Sequence, residues 1–191
     1  HTPIRRQRQM CIRDRLFLWL NRLGSETFDA FWMTITDKRY TIGFYAILTA
    51  VMGKWLGWKN ILWMLLAIAL LITFTDQVTN LFKDGFMRLR PCHETELTNI
   101  MRRVKPSCGG NYGYFSGHAS NSFAMATFFV VLFARQFKLI RLLFVVAAMV
   151  AYSRIYIGVH YPLDVITGTL FGILGGWLFA ELYLRFIPNP I

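Results

Sequence analysis

Three stretches of this 191-residue chain carry residue types suited to a phosphate ester: Lys83 to Pro91 (KDGFMRLRP), Ser116 to His118 (SGH) and Ser153 to Asp164 (SRIYIGVHYPLD). Together they supply three cations (Lys83, Arg90 and Arg154), two histidines (His118 and His160) and one carboxylate, Asp164. A phosphoryl group keeps its negative charge on the equatorial oxygens throughout transfer, so positioned cations provide most of the stabilisation. Lysine offers a point charge, whereas each arginine offers a planar fork that grips two oxygens. This is the inventory for passing a phosphoryl group through a histidine. No Asp/His cluster at metal-ligand spacing accompanies it, so the expected chemistry uses no metal and no cofactor.

The elements that must position these residues are apolar. The chain is 55% hydrophobic and only 16% charged, far outside the range of a soluble domain and fitted to a polytopic membrane protein. Its formal charge of +11 is scattered over short loops and forms no basic helix or arm. That distribution points to lipid headgroups and a substrate phosphate, with no nucleic acid and no obligate protein partner implied.

Residues 1–15 begin without Met and lack the hydrophobic core of a signal peptide; they read as a non-native leader and are set apart from the fold. Residues 16–38 are aromatic but interrupted by Asn21, Arg22, Gly24, Ser25, Glu26 and Asp29, which suits interfacial helices rather than a span. From residue 39 onward the pattern predicts a transmembrane core, with spans at Tyr40–Trp58, Ile61–Phe82, Ala119–Ala134, Leu139–Ile157 and Leu163–Ile187. The expected fold is therefore all-α: a single membrane helical bundle of about five transmembrane helices plus N-terminal interfacial helices.

Successive spans alternate direction, and this gives the chemistry a topological test. Lys83 and Arg90 follow span two, His118 opens span three, Ser153 and Arg154 close span four, and His160 and Asp164 open span five. All four ends emerge on one side of the membrane. On the second span Asp76, Thr79, Asn80 and Lys83 share a helical face. Asp76 is expected to point into the bundle, either orienting groups behind the site or making an interhelical hydrogen bond. Gly168, Gly172, Gly175 and Gly176 have small-xxx-small spacing, which lets a neighbouring helix approach closely.

The long polar loop of residues 84–115 holds Cys92 and Cys108. In an oxidising compartment a bridge between them would stabilise the loop by about 3 kcal/mol; two unpaired thiols are the alternative.

These motifs resemble the type 2 phosphatidic acid phosphatase family, whose pattern is KxxxxxxRP, PSGH and SRxxxxxHxxxD. Lys83, Arg90 and Pro91 meet the first element, and Ser153, Arg154, His160 and Asp164 meet the third. The second departs once, with Phe115 where the family has Pro, while Ser116, Gly117 and His118 match. The resemblance implies a bundle of about six helices and a membrane lipid phosphatase. It implies His160 as nucleophile, oriented by Asp164, and His118 as the acid that protonates the leaving alkoxide and then the base that activates water. Lys83, Arg90, Ser116, Gly117, Ser153 and Arg154 would bind the phosphate, with the free N–H groups of the helix starting at Gly117 adding an anion site.

The membrane setting favours an amphiphilic phosphate monoester or diphosphate: phosphatidic acid, phosphatidylglycerol phosphate, undecaprenyl diphosphate or a lipid A phosphate. A phosphotransferase with a lipid alcohol as acceptor would use the same intermediate. A haloperoxidase shares the phosphate-site pattern but is soluble, and a non-catalytic lipid binder has no use for His118 and His160. Charge leaves orientation open: Lys54, Lys59, Arg135, Lys138, Arg141 and Arg185 mark the far side as cytoplasmic, while Arg88, Arg102, Arg103 and Lys105 oppose them. Family habit and the paired cysteines place the site outside a bacterial plasma membrane.

Overall fold

The structure is a computed structural model describing residues 12–187; residues 1–11 of the proposed leader lie outside the described residues. Two short helices come first, α1 (Ile12–Arg22) and α2 (Asp29–Thr36), followed by α3 (Lys38–Leu56) and α4 (Trp58–Phe86). The polar loop carries a 3-10 turn at Pro91–His93 and a one-turn helix, α5 (Thr95–Thr98), before α6 (Gly117–Phe133), α7 (Leu143–Tyr156) and α8 (Pro162–Phe186).

Local signals set the boundaries. Asp37 caps α3 by accepting from Arg39 N at 3.0 Å. Gly57, at φ 78°, supplies the left-handed turn that reverses the chain between α3 and α4. Ser116 caps α6, and α8 opens with Pro162 in its first turn and a capping interaction through Asp164.

Among the described residues, three helical segments are long and apolar enough to cross a membrane: Lys59–Phe86, Lys138–Tyr156 and Pro162–Phe186. Gly117–Phe133 is apolar but shorter. The 19-residue α3 falls outside that class because Lys38, Arg39, Thr41, Thr49 and Lys54 dilute its apolar run. Leu62, Leu66, Leu70, Leu170, Leu174 and Trp177 are exposed, as lipid-facing side chains must be.

The centre of the bundle is α6, whose upper and lower turns are both buried. Helix α8 lies directly on its backbone. A Cβ at Gly168 would sit 2.5 Å from the Ser116 carbonyl oxygen, and Cβ atoms at Gly172 and Gly176 would collide with those of Ser120 and Ala124. Gly168, Gly172 and Gly176, spaced by four, thus form the contact stripe expected of small residues. Gly175 instead faces Leu71, Phe74 and Thr75 of α4. Below the site, Tyr45, Phe128, Phe129, Phe133 and Tyr183 fill the core.

The N-terminal helices are tied to the end of the bundle that carries the three motifs. The buried Asn21 side chain donates to the carbonyls of Arg102, Ile155 and Tyr156 and accepts from Arg102 N at 2.7 Å. Arg102 grips both oxygens of Asp29 at 2.5 and 2.6 Å. One amide and one ion pair therefore join α1, α2, the long loop and the end of α7.

Candidate active site

The turn between α7 and α8 builds the first half of the site. Val159 N and His160 N both donate to Arg154 O, at 3.1 and 3.2 Å, which folds the chain back and buries His160 to 2% exposure. His160 Nδ1 lies 3.5 Å from Asp164 Oδ2. The same oxygen accepts from Tyr161 N at 2.9 Å. Asp164 is fully buried and its other oxygen is held by Arg88 in an ion pair. Both carboxylate oxygens thus have a polar neighbour, and the His160 ring turns Nδ1 towards Asp164, leaving Nε2 on its opposite edge.

The second half begins at α6. Ser116 N donates to the backbone carbonyl of Asp164 at 3.0 Å, so the two histidine-bearing elements are pinned together by main chain. Gly117 packs against Thr79 Cγ2, 3.4 Å from where a Cβ would stand. His118 hydrogen-bonds the backbone of Thr36, and its ring feels the charges of Arg154, Lys38 and Lys105. Phe115, in place of the family's Pro, is fully buried and stacks on Phe171 at 5.0 Å. An aromatic contact fixes the approach to α6 there.

The cations converge from three directions. Arg90 is clamped by Cys108 O at 2.7 Å and Tyr112 O at 3.1 Å. The loop that supplies those carbonyls is itself closed by a Cys92–Cys108 disulfide, with Cα atoms 6.2 Å apart. His93 stands beside them, but the bridge occupies both sulfurs. Arg154 is 4% exposed and donates to Thr36 Oγ1 at 2.5 Å. Lys83 lies within electrostatic reach of Arg90 and Arg154. Burial, then the charges of Arg154, Arg90, His118 and Lys83, push the His160 imidazole well below its ordinary value of 6.5. It is therefore neutral, the form that can attack phosphorus, in the neutral pH range.

Two serines differ in what their hydroxyls do. Ser116 Oγ accepts from Ala119 N at 3.5 Å as the α6 cap. Ser153 is fully buried and donates to Val150 O at 2.6 Å, so its hydroxyl proton is spent inside α7. Thr75 and Thr79 take the buried row of α4 and leave Asp76 exposed, but Asp76 makes the interhelical hydrogen bond that was one of its two expected roles, accepting from Asn121 Nδ2 of α6 at 2.9 Å.

Three contributors had no signal in the motifs. Arg88 sits between Lys83 and Arg90 at a position the family pattern leaves open, yet it holds Asp164. Thr36 ends a segment with the composition of an interfacial helix, yet it touches Arg154 and His118. Lys105 is held down by burial and by the charges of Arg154 and Arg90, which places it at the rim of the cation cluster.

Comparison with known proteins places this arrangement in a family. The chain is 37% identical over 172 residues to lipid A 4'-phosphatase of Bacteroides thetaiotaomicron, covering 88% of this chain and 75% of that one. It is 34% identical to lipid A 4'-phosphatase of Porphyromonas gingivalis, covering 91% and 73%. The fold matches the crystal structure of Aquifex aeolicus LpxE with a TM-score of 0.71 at 24% identity, over 91% of this chain and 97% of that one. The sequence model of the PAP2 superfamily matches residues 60–188, a span that contains Lys83, Arg90, His118, Arg154, His160 and Asp164, and the chain belongs to that superfamily.

Proposed function

We propose that this protein hydrolyses the phosphate monoester of a lipid A-type glycolipid through a phosphohistidine. The carrying observation is the backbone bond from Ser116 N to Asp164 O, which sets His118 and the His160–Asp164 pair at one end of the bundle beside Lys83, Arg90 and Arg154. Two relatives that align over most of their length are lipid A 4'-phosphatases, and this supports the substrate class.

In the reaction, Nε2 of neutral His160 attacks phosphorus while the bond to the lipid oxygen breaks. His118 gives that oxygen a proton, so the lipid leaves as an alcohol. Water then attacks the phosphohistidine, giving its proton to His118 and releasing inorganic phosphate. Lys83, Arg90 and Arg154 hold the equatorial oxygens through both steps, and Asp164 stabilises the imidazolium character that develops on His160. The membrane carries the protein with this site on its outer face, in a bacterial plasma membrane; the Cys92–Cys108 bridge supports an oxidising compartment there.

The test is phosphate release by detergent-solubilised protein from a panel of lipid A, phosphatidic acid, phosphatidylglycerol phosphate and undecaprenyl diphosphate. Release that is fastest from lipid A is the expected result. Transfer of phosphate to a lipid alcohol without free phosphate would replace hydrolysis by the phosphotransferase reading.

A further inference from the structure

Helix α4 buries one row of side chains, Met64, Leu71, Thr75 and Thr79. At about 100° per residue, Leu70, Phe74 and Leu81 fall on one flank of that row, and all three are exposed, as a lipid-facing surface requires. Thr73, Asp76, Asn80 and Lys83 fall on the other flank, bordered by Gln77. Thr73, Asp76, Gln77 and Asn80 are also exposed. One side of a membrane-spanning helix is therefore oil and the other is a ladder of hydroxyl, carboxylate and amide groups.

That ladder has a direction. From Thr73 to Lys83 is about 15 Å of helix, half the hydrocarbon thickness. Its upper end is Lys83, in the phosphate site. Beside it on α6 stands Asn121, one turn below His118, giving Nδ2 to Asp76 Oδ1 at 2.9 Å and accepting from Thr75 Oγ1 at 2.7 Å. The polar flank thus runs straight down from the two groups that meet the scissile phosphate and its leaving oxygen.

A carboxylate and amides open to hydrocarbon are costly, and intramembrane ionisable residues normally face polar surroundings. The phosphate cannot provide these, because it is held at the level of Lys83. Acyl chains have no groups for Asp76, Gln77 or Asn80 to bond. A sugar ring does: its hydroxyls and amides match a carboxylate acceptor flanked by amides that both donate and accept.

Resting on the phosphatase reading above, we propose that Asp76, Gln77 and Asn80 of α4, with Asn121 of α6, form the subsite that binds the hydroxyl and amide groups of a sugar carrying the scissile phosphate. The protein then selects phosphorylated glycolipids over glycerol-based and polyprenyl phosphates by what hangs beneath the phosphate.

The experiment compares wild type with the double variant Gln77→Leu/Asn80→Leu, which leaves the Asp76–Asn121 bond in place. The substrates are an acylated glucosamine phosphate, phosphatidic acid and a short soluble aryl phosphate. The expected result is a loss of about tenfold or more in kcat/KM on the glucosamine lipid, carried mainly by KM, with phosphatidic acid and the aryl phosphate changed less than about twofold. Equal losses on both lipids, or no loss on either, overturn the subsite. Asn80→Ala repeats the comparison if the double variant fails to fold, and the same pattern is required of it. Wild type that releases phosphate from none of the three overturns the phosphatase reading itself, and the subsite with it.

Discussion

At the scale of single residues, the site is a set of imidazole and guanidinium groups held by both main-chain and side-chain partners: Arg90 by two carbonyls, Arg154 by Thr36 Oγ1, and Arg88 and His160 by Asp164. Replacing His160 with Ala removes the attacking nitrogen, and kcat should fall by at least about 10³-fold, while detergent thermal unfolding shows an intact fold. In labelled protein without substrate, the His160 ring should stay neutral as pH falls through 6.5 and protonate only below it, because burial and neighbouring positive charge depress its pKa; NMR titration reads this directly. The sign for stability follows: the unfolded chain binds a proton at His160 below pH 6.5 that the folded chain resists, so stability declines on acidification from there down to the folded pKa. Arg88→Ala leaves Asp164 buried with one oxygen unpaired and frees it to shift. We expect kcat about 10- to 100-fold lower with little change in KM, separable by steady-state kinetics from the loss of phosphate binding that Arg90→Ala would cause. The cations and histidines gathered at this end of the bundle were legible in the sequence because they stand at motif spacing. Arg88 was not, because its role depends on a loop returning to α8, a contact no local pattern encodes.

At the scale of elements, the close approach of α8 to α6 decides whether the two histidines meet. Gly172→Ala places a methyl group against the Ser120 carbonyl and should destabilise the protein by about 1–3 kcal/mol. A Cβ at Gly43 would meet no neighbouring atom within 4 Å, so Gly43→Ala in the same unfolding assay should be neutral or slightly stabilising. The helices of the bundle were readable from apolar runs, and the glycine stripe from its spacing. The face presented by α4 was not. Asp76 and Thr79 share a helical face by spacing, but Gly117 and Asn121 on α6 draw Thr75 and Thr79 into contact and leave Asp76 at the exposed edge of that contact, bonded to Asn121. Thr36 was hidden for a similar reason: it reaches Arg154 and His118 only because Asn21 and Asp29 anchor the two N-terminal helices on the end of α7.

At the scale of the whole molecule, the long loop acts as a preformed cap over the cations. Reduction of the Cys92–Cys108 bridge, or Cys92→Ser with Cys108→Ser, should cost about 3 kcal/mol of loop stability and raise KM, since Cys108 O holds Arg90. Because the cations neutralise the phosphate themselves, turnover in EDTA should equal turnover without it; metal-dependent activity would contradict the histidine mechanism. The bond from Ser116 N to Asp164 O and the bare backbone face at Gly168 and Gly172 carry one more consequence. The link between the two histidine-bearing elements is made by atoms common to every amino acid, so that one bond needs no particular side chain at either of its ends. On the proposed subsite, the choice of lipid can then change along the flank of α4 while the bond that joins the two histidine-bearing elements stays the same.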